Sequence, residues 1–286
     1  MTEKLLIGQL TNTYGKFAPI RLTGGYTNET FLLEGIQPPL VAKVSNTFNK
    51  DIENEINCLK LMQETGIVPG LYESFQTDNQ QITVIEYCEG KNAQSIMDNG
   101  DLEKTSEIYK LLGNTLAKNI HAQKYTFNSK GIRECNVNEI LFNLEFVPQE
   151  LINVSKEMMG SLTDRKEDWV LTHGDYGVHN VLFSPNNSLT VLDWEWSEWA
   201  NPLTDVAWVC WFTGLHYKEW ANQLTSLFVE EYKKYNPINL PGKKLKGYCV
   251  YKVWKVLHKV KNAPIEVQEE WIRRLNWTLE TDIFDF

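Results

Sequence analysis

The sequence predicts an α+β fold of two packed lobes, an antiparallel sheet plus one helix in the N-terminal part and a mainly helical C-terminal part. Two observations carry this expectation. Up to about residue 88, short apolar or β-forming segments alternate with Gly-Gly, Gln-Pro-Pro and Thr-Asp-Asn-Gln breakers. Beyond Glu89-Gly90 the apolar spacing becomes that of helices. No repeat or low-complexity linker intervenes, so residues 1–88 and 89–286 read as two packed lobes facing a cleft.

Strands are expected at 20–22, 30–33, 40–44, 71–75 and 82–87. Between the third and fourth, residues 49–64 carry Ile52, Ile56, Leu59 and Met62 at spacings of four, three and three, with Gly66 placed to end one amphipathic helix. A second helix is expected over 102–121, around Ile108, Leu111, Leu112 and Leu116. Residues 136–160 read as helical around Ile140, Leu141, Leu144 and Phe146, interrupted at Pro148. Short strands follow at 169–171, 181–183 and 189–192, the last two joined by Ser184-Pro185-Asn186-Asn187. If 192–196 is extended, Asp193 and Glu195 share one face and Trp194 and Trp196 the other, which assigns the tryptophans to core packing. From Asp205 onward the chain reads as helices broken near Pro237 and Pro241.

A formal net charge of −9 opposes the counterion-displacing contacts on which nucleic-acid affinity rests, so no nucleic-acid partner is expected. Neither a signal peptide nor a bilayer-spanning apolar run is recognised, and the expected location is the cytoplasm, with no membrane partner. The five cysteines are scattered, odd in number and never in a Cys-x-x-Cys pair, which favours reduced thiols. Histidine spacing gives no zinc pattern, so a metal would be held by oxygen. Lys243, Lys244, Lys246, Lys252, Lys255, Lys259 and Lys261 form a basic run within this acidic chain. It reads first as a solvated helix face, with an anion-binding surface as the alternative.

The chemistry is concentrated in His173-Gly174-Asp175-Tyr176-Gly177-Val178-His179-Asn180, followed by Asp193 in Leu192-Asp193-Trp194-Glu195-Trp196. Phosphoryl transfer asks a protein to position donor and acceptor, neutralise charge and orient the attacking oxygen. Asp175 is the candidate base, while Asn180 on the same loop and Asp193 beyond a hairpin are candidate magnesium ligands. Glu195 would either assist the metal, contact substrate or be an exposed strand residue.

His173-Gly174-Asp175-x-x-x-x-Asn180 with Asp193-x-Glu195 resembles the aminoglycoside phosphotransferase and choline kinase superfamily. Asn201-Pro202-Leu203-x-Asp205-Val206-Ala207-Trp208 is similar to its antibiotic-phosphotransferase-like members, and the resemblance is strongest over 169–208. It implies a protein-kinase-like pair of lobes with ATP between them. Lys43 would then grip the α- and β-phosphates, and Glu55 would orient it, with Glu53 as the competing assignment. Gly24 and Gly25 would cover the phosphates, although a Gly-Gly pair between strands is also an ordinary hairpin turn. The backbone at Glu86 and Cys88 would hold the adenine edge. His173 would pack the catalytic loop, and Asp205 would brace it.

The implied activity is ATP- and Mg2+-dependent phosphorylation of a hydroxyl on a small molecule. Acidic Asp175, Glu195 and Glu198 suggest an aminoglycoside-like acceptor first, with choline, ethanolamine or a sugar as alternatives. A nucleotide-binding pseudokinase module is the reading from another class, and the presence of Asp175, Asn180 and Asp193 opposes it. No Asp-Phe-Gly or Ala-Pro-Glu follows the loop, which disfavours a protein kinase.

Overall fold

The computed structural model describes every residue except 1, 23–27, 47–48, 78, 128, 163–164 and 285–286. Its first element is a helix the sequence pattern did not announce, α1 (Thr2–Tyr14). Only Leu6 and Leu10 of α1 are deeply buried, one turn apart, and they pack on Phe31, Leu33, Ala42, Val44, Ile82 and Val84 of the sheet. An apolar stripe that narrow gives little periodicity to read.

The sheet is antiparallel, in the order β1-β2-β3-β5-β4, and comprises β1 (Ala18–Arg21), β2 (Glu29–Glu34), β3 (Leu40–Asn46), β4 (Leu71–Gln76) and β5 (Gln80–Glu86). Alternation along β3 sends Leu40, Ala42 and Val44 toward α1, while Val41 packs with Cys58, Leu59 and Met62 on the other face. Lys43 shares that second face. It therefore looks at α2 (Lys50–Met62), whose N-terminus is capped by Asn49 and whose final turn ends at left-handed Gly66.

The chain then crosses through β6 (Lys91–Asn92) into α3 (Ala93–Asp98) and α4 (Leu102–Thr115), which is N-capped by Asp101 and continues as a wider turn over Leu116–Ile120. Residues 136–160 depart from the expected helix. Apart from a single turn at Val137–Glu139, helix begins only at α5 (Gln149–Gly160), directly after Pro148. A proline disfavours helical backbone in the residue before it, which keeps α5 from extending back past Pro148; Ile140, Phe142, Leu144 and Phe146 pack on the core as irregular chain.

β7 (Val170–Thr172), β8 (Val181–Phe183), β9 (Leu189–Val191) and β10 (Glu198–Ala200) form two small antiparallel sheets, β10 on β7 and β6-β8-β9. Four helices complete the fold: α6 (Leu203–His216), α7 (Ala221–Lys233), α8 (Gly242–Lys259) and α9 (Ile265–Glu280). Among the described residues no helix is long and apolar enough to cross a membrane, and all five cysteines are free thiols.

One stretch is turned where extension was expected. Asp193 adopts φ 61°, and Trp194–Trp196 forms a tight 3₁₀ turn, so the alternation of faces fails. Trp194 and Glu195 are both buried, and Trp196 is half-buried.

Helices α4 and α7 meet at Gly113, where a Cβ would overlap the carbonyl oxygen of Phe228 and touch the Tyr232 backbone nitrogen at 3.0 Å. Gly113→Ala is expected to destabilise the fold by about 1–3 kcal/mol through forced backbone shifts. Gly8→Ala in α1, where nothing lies within 4 Å of the new methyl, should gain roughly 0.5–1 kcal/mol. Urea denaturation midpoints of the two variants test the contrast, and equal midpoints would refute the close-contact explanation.

Candidate active site

The loop after β7 is held by one carboxylate. Asp205, in the first turn of α6 and fully buried, accepts from the His173 backbone N–H at 2.7 Å, the Gly174 N–H at 2.8 Å and His121 Nε2 at 3.2 Å. Gly174 is left-handed at φ 79°, and a Cβ there would overlap the Trp196 carbonyl oxygen, so the loop needs glycine on two counts. His173 is buried; its Nε2 donates to the Leu192 carbonyl at 2.9 Å and its Nδ1 accepts from the Asp175 N–H at 3.3 Å. Burial pushes the His173 pKa down against the pull of Asp205 and Asp175, consistent with a neutral ring that packs the loop.

That frame presents Asp175. One carboxylate oxygen accepts from Trp208 Nε1 at 2.7 Å; the other accepts from Asn180 Nδ2 at 3.1 Å and lies 3.4 Å from His179 Nε2. Burial alone would raise the Asp175 pKa, but His179, Lys252 and His173 outweigh it and hold the group below the usual carboxylate range. Asp175 is thus an ionised acceptor at neutral pH.

Asn180 spends its amide N–H groups on Asp175, bonding the backbone carbonyl at 2.9 Å as well, which leaves the amide oxygen for other partners. Its own carbonyl accepts from the Leu192 N–H at 2.8 Å, next to exposed Asp193 at the end of the β8–β9 hairpin. Asn180 and Asp193 are therefore neighbours despite their separation in sequence. The carboxylate of Glu195 accepts from Asn28 and its carbonyl from Arg133. Glu195 is buried, which overturns its reading as an exposed strand residue.

Across from this loop, Lys43 Nζ bonds both carboxylate oxygens of Glu55, at 2.7 and 2.6 Å. Glu53 is exposed, so Glu55 is the partner of Lys43. Burial works against the Lys43 ammonium, yet Glu55, Asp193 and Glu195 together raise its pKa, which shows these carboxylates converging on one cation. Glu86 closes β5, its N–H donating to the Gly70 carbonyl at 2.8 Å, and half-buried Cys88 follows on the way to β6. Burial and nearby Glu86 push the Cys88 thiol up to about 11. Gly24 and Gly25 lie outside the described residues.

Four site residues were missed by sequence reading. Buried Asn54 of α2 donates to the Ser197 carbonyl at 2.9 Å and accepts from the Arg133 N–H at 3.0 Å, so Asn54 and Arg133 pin the 194–197 turn to α2. Trp208 orients Asp175, and its spacing of three from Asp205 was visible but not used. Lys252 departs from the solvated-face reading of the lysine run, being only 4% exposed, with Nζ 3.4 Å from the centre of the Trp196 ring.

A model of the phosphotransferase enzyme family matches residues 20–236. The chain belongs to this family. Among solved structures, it is similar to the microcompartment-associated aminopropanol kinase, with a TM-score of 0.71 at 14% identity over 96% of this chain and 95% of that one. Spectinomycin phosphotransferase, solved with ADP and spectinomycin, gives 0.69 at 16% identity over 99% and 96% of the two chains. These likenesses establish the two-lobe α+β fold. In sequence, acyl-CoA dehydrogenase family member 10 of Mus musculus is 24% identical over 73% of this chain and 22% of its own length. Family member 11 of Mus musculus matches at 39% identity over 19% of this chain and 7% of its own length. The chain thus spans less than a quarter of either relative.

In this phosphotransferase-family chain, Asp205→Asn replaces one of the two accepting oxygens with an N–H donor set against a backbone N–H, and we expect stability to fall by about 2–4 kcal/mol. Catalytic turnover should fall with it, since the loop loses its frame; full turnover by the variant would remove the bracing role. His121 donates to Asp205 and its Nδ1 accepts from the Tyr232 hydroxyl at 2.7 Å, and burial drives its pKa down. The folded state therefore resists protonating His121 and His173, whereas unfolded histidines take up protons near pH 6.5. Stability should be fully present above about pH 6.5 and decline as pH falls, because the unfolded state then binds more protons. Denaturation midpoints between pH 8 and 5 check this, and His121→Gln should flatten the dependence.

Proposed function

We propose that the chain is an ATP- and Mg2+-dependent O-phosphotransferase acting on a hydroxyl of a small molecule, with its nucleotide between a lobe at 1–88 and a lobe at 89–286. The observation that carries this reading is the convergence of the Lys43–Glu55 pair on the field of Asp193, beside a loop that holds Asp175 ionised. Nothing in the core of a protein requires that set. A lysine on a buried sheet face, desolvated and raised by three carboxylates, is suited to phosphate oxygens.

The geometry and the family resemblance together support the following roles. Lys43 grips the phosphates of ATP and Glu55 fixes its ammonium. By the family resemblance, Glu86 and Cys88 would offer backbone groups to the adenine edge, and Gly24 and Gly25, which lie outside the described residues, would cover the phosphates. Asp175 accepts a hydrogen bond from the acceptor hydroxyl and orients its oxygen toward the γ-phosphorus. Its depressed basicity suits a loose transition state, in which the proton leaves late and orientation counts more than early abstraction.

The amide oxygen of Asn180 and the carboxylate of Asp193 are hard oxygen donors of the kind Mg2+ prefers. Two protein ligands suffice when phosphates and water supply the rest. When bound, the ion would offset charge on the transferring phosphoryl group. Buried Glu195, with one carboxylate oxygen engaged by Asn28, is placed to support this end of the site.

An aminoglycoside-like acceptor was suggested by acidic Asp175, Glu195 and Glu198. Glu198 is paired with Lys255 at 2.7 Å, Glu195 with Asn28 and Asp175 with Trp208 and Asn180, so each of the three carboxylates already has a partner in the fold. Solved relatives include enzymes described as acting on spectinomycin and aminopropanol, which keeps amine-bearing alcohols in the assay panel.

Magnesium-dependent ATP consumption with aminoglycosides, amino alcohols, sugars and hydroxy acids tests the activity. Asp175→Asn should lower kcat by about 10²–10⁴-fold with KM for ATP little changed. Glu55→Gln should instead raise KM for ATP. If ATP binds but no acceptor is phosphorylated, and Asp175→Ala leaves binding unchanged, the chain is a nucleotide-binding module.

A further inference from the structure

Lys252 lies on α8 with its side chain buried, and its Nζ meets no hydrogen-bond acceptor among the described residues. The ammonium rests 3.4 Å from the centre of the Trp196 ring and 5.4 Å from that of Trp208. Trp208 is the residue whose indole N–H holds Asp175, so Lys252 and the candidate base share it as a neighbour. The neighbouring cations are all satisfied: Lys255 by Glu198 at 2.7 Å, Lys259 by Asp51 at 2.9 Å and Arg133 by Asp51 at 2.7 Å.

Three N–H donors on a buried ammonium without an acceptor are strongly unfavourable, and the two indole faces compensate only in part. Burial pushes the Lys252 pKa down to about 7 even though Asp175 favours its charge. A methionine would fill the same space without desolvating a cation. An anionic oxygen group would satisfy the donors of Lys252. Trp196 also lines a separate cavity of about 510 Å³ whose wall mixes Arg133, Lys255 and Lys259 with Asp51, Glu134 and Glu198; Lys252 and Asp175 do not line it, so an anion would be met at Lys252 itself.

We propose that Lys252 receives an anionic oxygen group, a carboxylate or a phosphate ester, on the acceptor whose hydroxyl lies at Asp175. The acceptor is then an anionic hydroxy compound. A polycation would set its ammonium groups against Lys252. This inference rests on the phosphotransferase reading for the hydroxyl and on Lys252 alone for the anion.

The test compares wild type, Lys252→Met and Lys252→Arg with glycerate and gluconate, glycerol 3-phosphate, glycerol and glucose, and ethanolamine and an aminoglycoside. Turnover is expected with a carboxylate or with the phosphate ester, and the two arms tell which anion is recognised. Lys252→Met should raise KM for that acceptor at least tenfold and leave KM for ATP within twofold, while Lys252→Arg recovers part of the loss. Turnover confined to neutral or cationic acceptors, or an anionic-acceptor KM unchanged in Lys252→Met, would overturn the proposal.

If no acceptor of any class is phosphorylated, the phosphotransferase reading fails separately, and calorimetry with the same anions decides the Lys252 site. Binding to wild type that weakens at least tenfold in Lys252→Met upholds the anion site; equal or absent binding rejects it. Lys252→Met should also melt at or above the wild-type temperature, because it removes an unpaired buried charge. A marked drop would mean that the ammonium is already satisfied within the fold.

Discussion

The buried carboxylate of Asp205 is the constraint on which the rest of the site depends. Ionised and without solvent, it is tolerable only because both oxygens accept hydrogen bonds, from two consecutive backbone N–H groups and from His121, at the end of α6 where the helix dipole favours negative charge. Two adjacent donors fix both the position and the rotation of the loop that bears Asp175. Trp208, three residues further along α6, lies on the same helix face and supplies the indole N–H that holds Asp175. One helical turn thus provides both the brace and the orienting group. Trp208 is fixed in turn by stacking on Trp211, with ring centres 4.3 Å apart.

The two halves of the molecule are tied at a second point. The 194–197 turn is gripped by Asn54 of α2, by Arg133 and by Asn28, while the same α2 carries Glu55 to Lys43. Adjacent residues of one helix therefore serve different partners: Asn54 reads the backbone beyond Asp193, and Glu55 holds the ammonium of Lys43. A shift of α2 would strain both at once. Buried polar groups of this kind impose one arrangement because every alternative leaves a donor or acceptor unmet.

Much of this was legible in the sequence, for reasons that also explain what was not. The five strands of the large sheet and α2 were marked by apolar spacing and breakers, and Asp175, Asn180 and Asp193 by their order. Glu55 could be preferred over Glu53 from the apolar phase of its helix, and the structure pairs it with Lys43. The extension expected over 192–196 failed because the alternation of Trp and Glu imitates a strand, whereas the left-handed backbone of Asp193 has no local signature. Pro148 was seen as an interruption, and helix forms only after it; the apolar spacing before it serves irregular chain packed on the core. Helix α1 rests on two leucines, too few for a pattern. Lys252, Lys255 and Lys259 are spaced as one helix face, a spacing equally compatible with water and with Trp196. Only packing distinguishes those cases.

The charges around Asp175 also connect binding to reactivity. Its carboxylate is subject to burial, which raises its proton affinity, and to His179, Lys252 and His173, which lower it further than burial raises it. In the proposed arrangement an anionic group on the acceptor takes up the charge of Lys252. One of the cations that suppress Asp175 is then compensated, and the carboxylate becomes more basic at the moment its hydroxyl partner is in place. A neutral alcohol would be oriented just as well by Asp175 but would leave that suppression intact. Selection among acceptors would therefore reside in how the bound molecule changes the electrostatics of the proposed base.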